Sequence, residues 1–125
     1  LRTLESCHWI GNNLLTHGRL EHLGQFDAYA LPQERSTIEC FKALLDELKQ
    51  RDLQSIALKT QLMIRPGYQM KSVQGIITNF HQPGSTLLLL VSAGIGDSWN
   101  EVYQHALDNE YRFLSYGDSS LLYFD

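Results

Sequence analysis

Apolar residues recur along this chain with two periods, and a knot of polar residues sits where one period gives way to the other. Leu4, Ile10, Leu14 and Leu15 mark an apolar stripe that predicts a helix over residues 1–16, with Gly18 as its stop. Residues 23–31 predict a short strand, made irregular by Gly24 and Pro32. Ser36 followed by Glu39 is a capping box, and Ile38, Phe41, Leu44, Leu45 and Leu48 line one face of a helix reaching about Arg51. Alternation of Ile56, Leu58, Leu62 and Ile64 predicts extended chain over 55–64; Arg65-Pro66-Gly67 turns it, and 73–80 reads as a second strand.

Pro83-Gly84 turns the chain again and Ser85 is placed to cap the next helix. Residues 86–93 are apolar all round, which predicts a helix buried on every side, and Gly94-Ile95-Gly96 reads as its stop. A second capping box, Ser98 to Glu101, opens a helix to about Asn109 with Trp99, Val102, Tyr103, Ala106 and Leu107 as its inner stripe. Residues 111–116 read as a strand, Gly117-Asp118 as a turn and 121–124 as a last apolar segment. Helices alternate with strands, so the expected class is α/β with right-handed crossovers, as a single domain over residues 1–125.

Composition narrows the classes. A hydrophobic fraction of 43% and a charged fraction of 19% fit a folded, soluble chain. The net charge of -4 argues against a dedicated nucleic-acid-binding domain, though not against a chain that supplies catalytic groups while another segment grips the nucleic acid. Cys7 and Cys40 stand far apart with no metal-ligand spacing around them, and read as buried thiols in a reducing cytoplasm. The apolar run 87–91 is too short to span a bilayer. The chain begins at Leu1, already inside a helical pattern, which suggests part of a longer protein.

Candidate chemistry gathers at strand ends. Within residues 76–93, Thr78, Asn79, His81 and Ser85 stand where strand gives way to helix, the place where α/β proteins bind ligands. His81 is the best single group for proton transfer, since its ordinary pKa lies nearest neutrality. It reads equally as a histidine that hydrogen-bonds its own loop. Asn79 reads as a substrate ligand or as a side chain satisfying a turn, and Ser85 as a cap before a nucleophile. A second knot follows at 115–120: Asp118 as base, hydroxyl ligand or turn cap, and Tyr116 as a stacking or rim residue. His8, His17, His22 and His105 lack the paired spacing of a metal site.

Together, TNFHQPGSTLLLLVSA from Thr78 and YRFLSYGDSSLL from Tyr111 resemble the C-terminal signature of the S-adenosylmethionine:tRNA ribosyltransferase-isomerase family of queuosine biosynthesis. Arg2-Thr3-Leu4-Glu5-Ser6 and Pro66-Gly67-Tyr68 are similar to two further segments of that family, and the likeness is weakest over 20–53. Gln82 and Ser119-Ser120 stand where the family most often has Leu and Ala-Met. The resemblance implies the C-terminal part of an α/β barrel-like domain in a larger two-domain enzyme. It implies S-adenosylmethionine as ribosyl donor, tRNA carrying 7-aminomethyl-7-deazaguanine as acceptor, epoxyqueuosine as product, no metal, no membrane and a cytoplasmic location. It also implies Thr78, Asn79, Ser85, Tyr116 and Gly117 as substrate-binding residues, with His81 as acid or base and Asp118 as hydroxyl ligand or base. A segment holding only one wall of such a site is expected to be inactive alone, and to self-associate through strand edges left open.

Overall fold

The computed structural model describes residues 1–124, and the chain divides into two compact units, Leu1–Met63 and Ile64–Asp125. In the first, α1 (Arg2–His17) packs on α3 (Thr37–Gln50), with one helical turn, α2 (Asp27–Ala30), between them. α1 ends as its sequence predicts: Gly18 takes the left-handed conformation (φ 74°) and its N–H closes on the Leu14 carbonyl. α3 starts on the expected box, with the Ser36 hydroxyl accepting from the Glu39 N–H and the Glu39 carboxylate accepting from the Ser36 N–H.

The buried face of α1 is only partly the predicted one: Ile10 is buried and Leu14 half-buried, as expected. Leu4 and Leu15 are 47% and 44% exposed, whereas Glu5, His8 and Asn12 are fully buried beside Trp9. Burial of polar groups is tolerable only with partners. Asn12 Nδ2 donates to the Pro32 carbonyl (2.7 Å), Ser6 Oγ to the Arg2 carbonyl (2.7 Å), and His8 Nδ1 lies 3.3 Å from Thr37 Oγ1. The expected strands at 23–31 and 55–64 shrink to one parallel bridge, Leu23 to Thr60. Asp27 Oδ2 accepts from the Gly24 N–H at 2.7 Å, which draws the chain out of extension and into α2.

In the second unit, β1 (Gly75–Asn79) and β2 (Ser119–Tyr123) form a two-stranded antiparallel sheet with Ile77 opposite Leu121 and Asn79 opposite Ser119. The chain thus mixes helix and strand, but this sheet contains no parallel crossover among the described residues. Ile76 and Leu122 face a core of Phe80, Leu88, Val91, Ile95, Tyr103 and Ala106, contributed by the end of β1 and by α4 (Thr86–Ile95) and α5 (Ser98–Asp108). Side-chain alternation sends Ile77, Leu121 and Tyr123 the other way, where they are 75%, 57% and 74% exposed.

Three expectations fail here for local reasons. α4 is not buried all round: Leu88, Leu90 and Val91 are inside, while Leu87 and Leu89 are exposed, as period 3.6 requires of a helix with one neighbouring core. It runs through Gly94, which packs against the Phe124 ring, and stops at Gly96 (φ 57°), within the predicted stop. The second capping box does not form, since Asp97 takes the N-cap position and Ser98 is already helical. Residues 111–116 are a loop, not a strand.

Candidate functional site

The two polar knots meet at one end of the sheet. The register alone places Thr78 opposite Ser120 and Asn79 opposite Ser119. Side chains then tie the strand end to the loop before β2. Asn79 Nδ2 reaches the Gly117 carbonyl (3.2 Å), Ser119 Oγ (3.1 Å) and the Asp118 carbonyl (3.4 Å), and Ser120 Oγ donates to the Thr78 carbonyl (3.2 Å). Asn79 therefore does its turn-satisfying work across the two knots rather than within its own.

His81 is held from two directions. Its ring Nε2 lies 2.8 Å from Thr78 Oγ1, and its backbone N–H donates to the Tyr103 hydroxyl at 3.1 Å. Tyr103 is buried among aromatic rings, edge-on to Phe80 (5.3 Å) and to Trp99 (5.9 Å). Burial lowers the His81 pKa, so the imidazole is neutral near pH 7, and burial raises that of the Tyr103 phenol. A neutral, half-buried imidazole on a rigid strand end can accept a proton.

Residues 112–118 close on themselves. The Asp118 N–H donates to the Arg112 carbonyl (2.8 Å), the Arg112 N–H donates to Asp118 Oδ2 (2.7 Å), and Arg112 Nη2 stands 3.5 Å from Asp118 Oδ1. Leu114 takes φ 69°, a left-handed conformation costly for a side chain bearing a Cβ, and bonds through its N–H to the Phe80 carbonyl. Gly117 lies so close to the Arg112 carbonyl that no Cβ fits. Tyr116 stands at the loop tip, 97% exposed, with its ring open to solvent.

Asp118 is held below the usual carboxylate range, first by the Arg112 backbone N–H and then by the Arg112 side chain. Such a group is a weak base and a good clasp. Because its folded pKa is depressed, its hold on the loop is full above the ordinary value near 3.9 and is lost as pH falls through the lower folded one. Asp118→Asn is expected to speed exchange of the Arg112 amide and proteolysis within 112–118 while leaving global unfolding nearly unchanged. Unaltered exchange at Arg112 would show that the clasp does not order the loop.

Thr78, Asn79, His81, Gly117 and Asp118 are thus brought to one end of the sheet by hydrogen bonds and register. Ser85 is not drawn into that network: its hydroxyl accepts from the Leu88 N–H at 3.2 Å and caps α4. Tyr103 and Arg112 support the site without having been singled out from sequence. Tyr103 sits on a helical apolar stripe, where a tyrosine reads as core; the phenol at its end was the available signal. Among the described residues, no group of three or more His, Cys, Asp or Glu is arranged to hold a metal, and no helix is long and apolar enough to cross a membrane.

Comparison with known proteins decides the family. The profile of the family described as queuosine biosynthesis protein matches residues 35–122, which include both knots. This chain belongs to that family. The S-adenosylmethionine:tRNA ribosyltransferase-isomerase of Stenotrophomonas maltophilia is 46% identical over 83 residues, 66% of this chain and 24% of that protein. The enzyme of the same name from Legionella pneumophila (strain Corby) is 58% identical over 64 residues, 50% of this chain and 19% of the relative. A crystal structure of S-adenosylmethionine tRNA ribosyltransferase from Thermotoga maritima matches with a TM-score of 0.50 and 37% identity, over 64% of this chain and 30% of that one. The chain thus spans about a quarter of the length of the curated relatives it matches. The family match begins at Arg35, so Arg2 to Ser6, similar in sequence to a family segment, lie outside it.

Proposed function

We propose that this chain supplies one wall of the active site of an S-adenosylmethionine:tRNA ribosyltransferase-isomerase, a cytoplasmic enzyme acting on tRNA. The observation that carries the reading is the meeting of the two knots: Asn79 bridges to residues 117–119 at the strand end that also bears His81. Membership of the family and relatives bearing that name support the reaction class. In this reading the sheet is part of the barrel-like domain, which agrees with the outward apolar face of Ile77, Leu121 and Tyr123.

S-adenosylmethionine enters as a substrate, the donor of its ribosyl group to the aminomethyl group of a 7-deazaguanine base in tRNA, with adenine and methionine as the two leaving groups. Its sulfonium acidifies the adjoining ribose methylene, so a neutral base placed beside it removes a proton there. His81, kept neutral by burial, has the protonation state this step needs. Departing adenine takes up a proton, and the attacking amine must be uncharged. The 112–118 loop, held in one shape by Arg112 and Asp118, presents Tyr116 as a stacking surface for a base.

The reading is tested by incubating a full-length family member carrying this segment with S-adenosylmethionine and substrate tRNA, then measuring adenine. Time-dependent adenine release together with epoxyqueuosine in the tRNA is expected. Binding of S-adenosylmethionine without any adenine release would instead identify a nucleoside-binding module that keeps the fold and lacks the chemistry.

A further inference from the structure

The imidazole of His81 has two nitrogens, and the fold treats them differently. Nε2 is 2.8 Å from Thr78 Oγ1, three residues back at the end of β1. Among the described residues, Nδ1 has no hydrogen-bond partner. The main chain leading into it is fixed: Phe80 is buried in the core, its carbonyl accepts from the Leu114 N–H, and the His81 N–H is held by Tyr103. A ring anchored by backbone and by one nitrogen has little freedom to exchange the positions of its two nitrogens. A hydroxyl suits this task because its lone pairs can accept from Nε2–H in both the neutral and the protonated ring.

We infer that Thr78 is a positioning residue that holds His81 Nε2 and so reserves Nδ1 for the proton exchanged with substrate. This rests on the reading of His81 as the proton-transfer group. With Nε2–H donating to Thr78 Oγ1, the Nδ1 lone pair takes the substrate proton, and the resulting imidazolium keeps the same Nε2–H bond. The ring need not turn over between its two protonation states. Among the described residues, Tyr103 is the titratable side chain in contact with His81 and no charged side chain acts on the ring, so the Thr78 hydroxyl is the local determinant of which nitrogen works.

Two measurements test this. In the 125-residue chain, nitrogen-15 NMR of His81 is expected to show one dominant tautomer, protonated on Nε2, in the native sequence and in Thr78→Ser. Thr78→Val, which keeps the β-branched shape and removes the hydroxyl, is expected to give a mixture. In a full-length family member carrying the segment, Thr78→Val is expected to lower kcat by about tenfold or more with little change in KM. It should also displace the acid limb of the pH–rate profile, and Thr78→Ser should restore both. An unchanged tautomer in Thr78→Val, or native kcat and pH profile in that variant, would overturn the inference. Full turnover in His81→Ala would instead remove the proton-transfer reading, even with the Thr78–Nε2 pairing confirmed by NMR. A dead His81→Ala beside a fully active Thr78→Val would sink the positioning role alone.

Discussion

Gly11→Ala is expected to destabilise the first unit by about 2 kcal/mol or more, the ordinary range for an overpacked contact. Gly11 is buried in the middle of α1, and a Cβ built there would collide with the Cys40 main chain, 2.7 Å from its carbonyl carbon and 2.9 Å from its Cα, with the carbonyl oxygen closer still. Nothing flexible stands at that point, since the obstacle is the backbone of α3. Alanine is the better helix former by about 1 kcal/mol, so propensity alone would raise stability. The two effects have opposite signs, and the clash wins because α3 must move bodily to relieve it. For a unit of this size the loss corresponds to a fall in Tm on the order of 10 °C, readable by circular dichroism. A Tm equal to or above that of the native chain would show that α1 and α3 separate at little cost.

The same glycine shows what a sequence does and does not disclose. It looks like a weak point in a helix, and only the crossing with α3 explains it. Signals that act within one turn of chain were legible, namely the Ser36–Glu39 box, the Gly18 stop and the Ser85 cap, and the 73–80 strand, trimmed to Gly75–Asn79, was legible because β2 completes its hydrogen bonds. Strands at 23–31, 55–64 and 111–116 were not, because an extended segment becomes a strand only when a distant partner completes its hydrogen bonds. Leu23 finds Thr60 and nothing more. On α1 the apolar stripe located Ile10 but not the buried Glu5, His8 and Asn12, because burial of polar side chains depends on partners elsewhere, such as Pro32 for Asn12 and Thr37 for His8.

For the site, the density of polar residues at the end of a strand marked side chains that the fold does bring together. What it left open was which of them act and which hold others in place. Asp118 spends its carboxylate and Asn79 its amide nitrogen on the 112–119 loop, and Ser85 spends its hydroxyl on a helix end. His81 alone among these side chains keeps an uncommitted nitrogen among the described residues.

His81→Ala in a full-length family member is therefore expected to lower the rate of adenine release by roughly 10²–10⁴-fold, the usual worth of a general acid or base. The fold should survive, because the bond that anchors this position to Tyr103 comes from the main-chain N–H, which alanine retains. What is lost is the ring and its pairing with Thr78. The pH dependence carries the same signature. Burial lowers the His81 pKa, so between that value and the ordinary one near 6.5 the unfolded chain binds the proton more readily than the folded one. Stability contributed by the neutral ring is complete above that window and declines as pH falls through it. Activity that needs the neutral ring declines on the acid side too, with its midpoint below 6.5. The alanine variant should lose that acid limb as well as the rate. A variant with unfolding temperature, rate and acid limb all unchanged would take His81 out of the chemistry and leave it as a residue that shapes its own loop.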